Sequence, residues 1–209
     1  MLGIVIPARN EAKNISKLIN GIINTGINTD DIFVSNSVST DKTEEIAKQL
    51  DCQIINVRNP GYTNAIVEGL KKIKSLGYTK FLIIDGDNEI SPNIIPKTLE
   101  HLRDYDLIFG QRKEIKRIGE KIVNFFYYRK YKINDYLCGY KAGNISTVNF
   151  ESSLEYCIDL FFHNELNDTK IYNIPVELNL RKETRLGNPL IVNIKLLIEL
   201  YRLIHLKKL

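Results

Sequence analysis

The residues best placed to do chemistry are the carboxylates of Asp85-Gly86-Asp87-Asn88-Glu89, which follow the apolar run Phe81–Ile84 without a break. Acids at every second position concentrate negative charge in one loop, and hard divalent cations such as Mg²⁺ and Mn²⁺ take such oxygen ligands. A cation held there by Asp85, Asp87 and Glu89 would neutralise a diphosphate arriving at the loop. The competing reading is an acidic turn that is only solvated; its position after a buried strand favours the metal. A second loop, Pro7-Ala8-Arg9-Asn10-Glu11, follows the run Leu2–Ile6 and leads into helical spacing. Asn10 suits a helix N-cap and Glu11 a first helical turn. The alternative is that both side chains, with nearby backbone groups, hydrogen-bond the edge of a nucleotide base.

Both loops need a scaffold, and the apolar pattern supplies one. Short runs at Leu2–Ile6, Ile32–Val34, Ile54–Val57, Phe81–Ile84 and Leu107–Phe109 read as buried strands. Between them lie stretches with helical spacing: Ile15 to Ile22, Thr43–Leu50, Ala65–Leu76 and Ile94–Leu102. Alternation of this kind predicts an α/β fold with parallel strands, right-handed crossovers and ligands beyond the carboxyl ends of the strands. After Phe109 the alternation fails, and the spacing predicts a helix around Phe150–Phe162 and a strand over Ile171–Leu180.

The chain has 209 residues, of which 44% are hydrophobic, enough for one domain with a substantial core. Its net charge of +4 is too small to mark a nucleic-acid binder. The charge is uneven: between Gln111 and Lys132 eight basic residues face two acidic ones, Glu114 and Glu120. Cys52, Cys138 and Cys157 are scattered, which argues against a disulfide framework or a zinc site and for a reducing cytoplasm. The opening Met1–Pro7 reads as a strand and not as a secretory leader.

In their order along the chain these pieces resemble the family-2 glycosyltransferases of the GT-A fold, and within them the dolichol-phosphate-mannose-synthase-like branch. The matching stretches are Pro7–Glu11, Ser39-Thr40-Asp41, Asn59-Pro60-Gly61 with Ala65 and Gly69, Asp85–Pro92, Gly110-Gln111-Arg112 and Asp135–Lys141. Ile174-Pro175-Val176 with Arg181, Arg185 and Gly187 completes the set. The resemblance implies a Rossmann-like, mostly parallel sheet flanked by helices, in one domain over residues 1–209. Residues 1–110 would be the nucleotide-sugar-binding half, 111–190 the acceptor-side half and 191–209 a C-terminal amphipathic helix.

The same resemblance implies that Pro7, Ala8, Asn10, Glu11, Asn36 and Gly86 border a nucleotide sugar, and that Asp85 and Asp87 sit at the ribose and the metal. Glu89 stands where the branch often has a further metal ligand. Arg112, Arg181 and Arg185 become candidates to hold the donor diphosphate or an acceptor phosphate, since guanidinium suits bidentate phosphate contact. Asp135 would lie at the reacting end, which makes Asp135 and Arg112 the candidate catalytic residues. The implied reaction is an inverting, Mg²⁺- or Mn²⁺-dependent transfer of a sugar from a nucleoside diphosphate to a polyprenyl phosphate at the cytoplasmic membrane face. That acceptor is already an anion. A glycan hydroxyl would instead need a base, with Asp135 the first choice and Glu151 or Glu155 behind it.

Two positions depart from the family pattern. Asn36-Ser37-Val38 stands where D-D-G is usual, and Tyr62 where a cation often follows the N-x-G turn. Both changes predict looser donor binding, and they sustain a rival reading as a non-catalytic binding or scaffold protein. A nucleotidyltransferase is a third reading, disfavoured because no glycine-rich phosphate loop opens the chain. Phe125–Lys132 interleaves aromatic and basic residues, and Ile191–Leu209 is apolar apart from Lys195, Glu199 and Arg202 before its basic end, whose spacing puts the three charges on one helical face. These segments either pack on the domain or lie at an anionic membrane surface.

Overall fold

The computed structural model describes residues 1–161, 168–179 and 189–206. Each of the five expected apolar runs forms a strand: β1 (Leu2–Ala8), β2 (Ile32–Asn36), β3 (Gln53–Asn56), β4 (Lys80–Ile84) and β5 (Leu107–Gln111). The helices between them are α1 (Ile15–Ile23), α2 (Thr43–Gln49), α3 (Tyr62–Ser75) and α4 (Ile95–His101). Beyond β5 come α5 (Ile118–Tyr131), β6 (Tyr140–Asn144), β7 (Ile171–Pro175) and α6 (Pro189–Leu206). The sheet order is β3-β2-β1-β4-β6-β5-β7. All neighbours are parallel except β6, which runs antiparallel to both β4 and β5.

Successive side chains of a strand face opposite sides of a sheet, so the fully apolar strands demand cover on both faces. Ile4, Ile6, Leu82 and Ile84 face one layer, where α1 inserts the stripe Ile15, Leu18, Ile19 and Ile22. Val5, Phe81, Ile83 and Phe109 face the other, covered by α3, α5 and α6. Full burial of each such side chain contributes about 1.5–3 kcal/mol.

The second half departs from its expected elements. No long helix forms around Phe150: through Phe161 the chain makes turns and a short 3₁₀ turn at Glu155–Cys157, with Tyr156 and Cys157 at φ 59° and 54°. The cause is Asp159, whose buried carboxylate accepts from Ser152 Oγ (2.7 Å), Leu154 N (3.2 Å) and Ser153 N (3.2 Å). Short polar side chains that capture backbone donors in this way compete with the helical ladder. Phe162 and Leu180 lie outside the described residues, and the expected long strand stops at Pro175, followed only by an isolated bridge between Ile90 and Leu178.

The C-terminal helix forms, but its charges do not share a solvent face. Glu199 is buried and bound at 2.7 Å by Arg202, while Lys195 and Arg202 are exposed. Val192, Leu196, Leu200 and Leu203 pack inward. Leu190, Ile191, Ile194 and Tyr201 remain exposed, as do Ile118, Phe125 and Tyr128 on α5. Among the described residues no helix is long and apolar enough to cross a membrane.

Candidate functional site

The site lies beyond the carboxyl ends of β1 and β4. Asp85 directly follows β4, and its amide donates to Gly139 O at 3.2 Å, while Gly86 N donates to Pro7 O at 3.2 Å. These contacts draw the acidic loop between β1 and the segment before β6. Both glycines are required by the closeness. A Cβ on Gly86 would meet Pro7 O at 3.0 Å, and one on Gly139 would meet Asp85 Oδ2 at 2.0 Å.

Two cavities meet on these carboxylates. The β1-side cavity, about 330 Å³, is lined by Pro7, Ala8, Arg9, Glu11, Ser37, Gly61, Tyr62, Ala65, Asp85, Gly86 and Asp87. The α6-side cavity, about 280 Å³, has Asp85, Asp87, Glu89, Arg112, Glu120 and Lys141 as its polar wall, and Ile90, Leu137, Tyr156, Leu178, Val192 and Leu196 as much of the rest. Glu11, Tyr62, Asp85 and Asp87 line both.

The loop after β1 is braced by the next helix start. Asn10, at φ 57°, donates from its amide to Ser39 Oγ at 3.0 Å, and its side-chain oxygen accepts from Thr40 N at 2.8 Å. Glu11 N donates to Thr43 Oγ1 at 2.7 Å and Ala12 N to Asp41 Oδ2 at 3.0 Å. Ser39-Thr40-Asp41 thus fixes the shape of the loop. Asn10 and Asn36 line neither cavity. Asn36 is buried, its amide nitrogen bound to Glu44 (2.9 Å) and Asn56 (3.3 Å) and its oxygen to Ser39 N (3.1 Å).

Tyr62, expected only as a missing cation, donates its hydroxyl to Asp85 Oδ1 at 2.8 Å. Burial, and then the charge of Asp85, hold its phenol well above the usual range, so it stays a donor. Asp85 itself is pushed up to about 7, first by burial and then by the charge of Asp87. Crowded carboxylates raise one another's pKa, and a bound cation inverts that effect. The hard oxygens of Asp85, Asp87 and Glu89 on one cavity wall fit a divalent cation in ligand type. No group of three among the described residues is already arranged as a metal site, and Asp87 Oδ1 accepts from Glu89 N at 3.0 Å.

Arg112 lines the α6-side cavity, but Asp135 lies behind it, fully buried. Asp135 Oδ2 accepts from Arg112 Nε at 2.8 Å and from Arg112 N at 3.1 Å, and Oδ1 accepts from Arg112 Nη2 at 2.9 Å and Asn124 Nδ2 at 3.1 Å. Glu120 joins Arg112 at 3.0 Å to Arg117 at 2.6 Å. Asp135, expected at the reacting end, lies beneath Arg112 and lines neither cavity. Glu151 is exposed, and Glu155 faces Lys195 at 3.5 Å. Arg181 and Arg185 lie outside the described residues. Sequence reading missed Arg9, Glu120, Gly139, Lys141 and Tyr156 as lining residues; for Gly139 and Lys141 the only signal was membership of the Asp135–Lys141 stretch.

Comparison with known proteins places this geometry. Residues 3–160 match the family described as Glycosyl transferase family 2. An uncharacterized protein of Methanocaldococcus jannaschii is 38% identical over 134 residues, 58% of this chain and 57% of that protein. The dolichol-phosphate mannosyltransferase of Pyrococcus furiosus is 29% identical over 137 residues, 62% of this chain and 37% of that protein. The chain thus spans little more than half of the first and well under half of the second. Among solved structures, glucosyl-3-phosphoglycerate synthase of Mycobacterium tuberculosis superposes with a TM-score of 0.73 at 18% identity, covering 96% of this chain and 79% of that one. The same enzyme in complex with Mn²⁺, uridine diphosphate and phosphoglyceric acid gives a TM-score of 0.67 at 20% identity, over 95% and 78%. At such identities the likeness is one of fold. The chain belongs to glycosyl transferase family 2.

Proposed function

We propose that this family-2 chain transfers a sugar from a nucleoside-diphosphate sugar to a phosphate-bearing acceptor, a polyprenyl phosphate, at a membrane surface. The observation that carries the reading is the common wall of Glu11, Tyr62, Asp85 and Asp87 between two cavities. One cavity, at the β1 end, sets the small residues Pro7, Ala8, Ser37, Gly61, Ala65 and Gly86 beside Arg9, Glu11, Tyr62, Asp85 and Asp87, a surface that suits a nucleotide. The other combines Arg112 and Lys141 with Leu137, Val192 and Leu196, a polar end and an apolar wall suited to an amphiphile. The relative from Pyrococcus furiosus, named for transfer to dolichol phosphate, supports this acceptor class. The structural neighbour solved with Mn²⁺ and uridine diphosphate supports the donor class and the cation.

Asp85, Asp87 and Glu89 would hold a divalent cation, whose chemistry is to neutralise charge on the departing diphosphate. Asp135 positions Arg112 instead of taking a proton. A phosphate acceptor needs none taken, so positioning and electrostatic stabilisation suffice. The exposed apolar residues of α5 and α6, with the basic Lys121, Arg129 and Lys130 nearby in sequence, support binding to an anionic surface.

A non-catalytic binding protein is the second reading, favoured by one observation: the Asn36 side chain is bound internally and lines neither of these two cavities. One experiment separates the two. Calorimetry with a panel of nucleoside diphosphates, with and without Mn²⁺, is expected to show metal-dependent binding that Asp87→Ala lowers at least tenfold. Radiolabelled sugar should then reach a short polyprenyl phosphate, with Asp87→Ala slower by roughly 10²–10³-fold, the range for loss of one preorganised charge-stabilising group. Nucleotide binding without transfer would establish the binding protein; no nucleotide binding at all would sink the transferase.

A further inference from the structure

We infer that Lys141 is an anion-binding residue of the α6-side cavity, taking a phosphate oxygen of the bound reactant. The inference deepens the transfer reading and rests on it for the identity of the ligand. Lys141 sits on β6 opposite Ile83 of β4, so its side chain shares a sheet face with the acidic loop's root and lines the cavity beside Asp85 and Gly139. It is 3% exposed. An ammonium carries three donors and accepts nothing. Here one donor goes to Cys138 O at 2.5 Å, and the Tyr136 ring lies 5.9 Å away. No carboxylate among the described residues forms a direct ion pair with it; the acid that its charge reaches is Asp85, on the same wall.

Arg112, on the same cavity wall, is compensated differently. Asp135 and Glu120 both bind it directly, and with Arg117 the four charges cancel. A buried charge that an acid offsets only through space is costly and keeps donors unused, so this ammonium can take an anion from outside. The cavity admits one. A phosphate oxygen reaching Lys141 would form a charge-assisted hydrogen bond, stronger than a neutral one. The same chemistry is offered by the donor's diphosphate and by the acceptor's monophosphate, and the two are told apart by experiment.

The test uses the full chain with Lys141→Met and Lys141→Gln. Without ligand, both variants should melt near the wild-type temperature, because the lysine makes no direct ion pair and its removal relieves a desolvation cost; a purely structural lysine predicts a clear drop. Binding is then measured in two arms, uridine or guanosine diphosphate with Mn²⁺ and farnesyl phosphate without nucleotide. At least a tenfold loss is expected in one arm. Loss confined to the nucleotide identifies the donor diphosphate as the source, and loss confined to farnesyl phosphate identifies the acceptor. Affinities within twofold of wild type in both arms overturn the inference, as does failure of both variants to fold. If the wild type binds farnesyl phosphate but no nucleoside diphosphate, the transfer reading fails while Lys141 is still tested; if it binds neither, both fall.

Discussion

The two halves of the molecule hold their functional residues by different means. Up to β5, hydrogen bonds to backbone amides do the positioning: parallel strands end side by side, and the side chains of Ser39, Asp41 and Thr43 tie the amides of residues 10–12. Beyond β5, charged side chains do it. Asp135 and Glu120 fix Arg112, and Asp159 folds the turns that bring Tyr156 to the cavity. A nucleotide-binding wall can be made from hydrogen-bonded backbone that tolerates many side chains. An acceptor wall assembled from buried ions stands or falls with single residues.

That contrast can be broken at its most exposed point by Asp135→Asn, which leaves Arg112 without its buried carboxylate. Removing one partner of a buried pair costs about 3–5 kcal/mol. Urea unfolding should show a loss of that size, and a loss under 1 kcal/mol would mean that Glu120 and solvent suffice for Arg112. Next comes Gly139→Ala, where the new methyl meets Asp85 Oδ2 at 2.0 Å. Displacing a reacting group by about 1 Å can lower the rate as much as 10²-fold. Turnover should fall with little change in melting temperature, and full activity would show that Asp85 has room to move.

Asp159→Asn sharpens the comparison on stability alone. It weakens three hydrogen bonds to a buried charge, each of the class worth about 1.5–3 kcal/mol, and should destabilise the fold by at least one such bond. Protection of the Ser153 and Leu154 amides in hydrogen exchange should fall with it, while that of β1 and β4 should not. Smallest is Tyr62→Phe at the border of the two halves. Loss of its hydrogen bond to Asp85 is worth about 1 kcal/mol, read as a severalfold change in nucleotide affinity. No change in calorimetry would make the contact incidental.

Legibility in the sequence follows the same division. The strands β1, β2, β4 and β5 announce themselves because a strand buried on both faces is a continuous apolar run, and Asp85 and Asp87 because acids directly after such a run sit at the strand end where ligands bind. The helix expected around Phe150 fails because apolar spacing does not register that Asp159 will take up the backbone donors it would need. Lys141 and Gly139 gain their meaning only from the antiparallel insertion of β6 beside β4. No local pattern announces that neighbour. Asn36 was legible as a departure from the family, yet its internal bonds to Glu44 and Asn56 depend on how α2 and β3 pack beside it.

The antiparallel placement of β6 also bears on how the protein is made. β4 finds β1 as soon as both have been synthesised, but its other edge pairs only with Tyr140–Asn144. Ribosomes add about 5–20 residues per second, so the apolar edge Phe81–Ile84 waits on the order of seconds for its partner. Open apolar edges are templates for pairing between chains. The centre of the sheet therefore stays open until β6 is made, with only the rim strand β7 still to follow, and a nascent chain halted near residue 110 would be a candidate client for a chaperone.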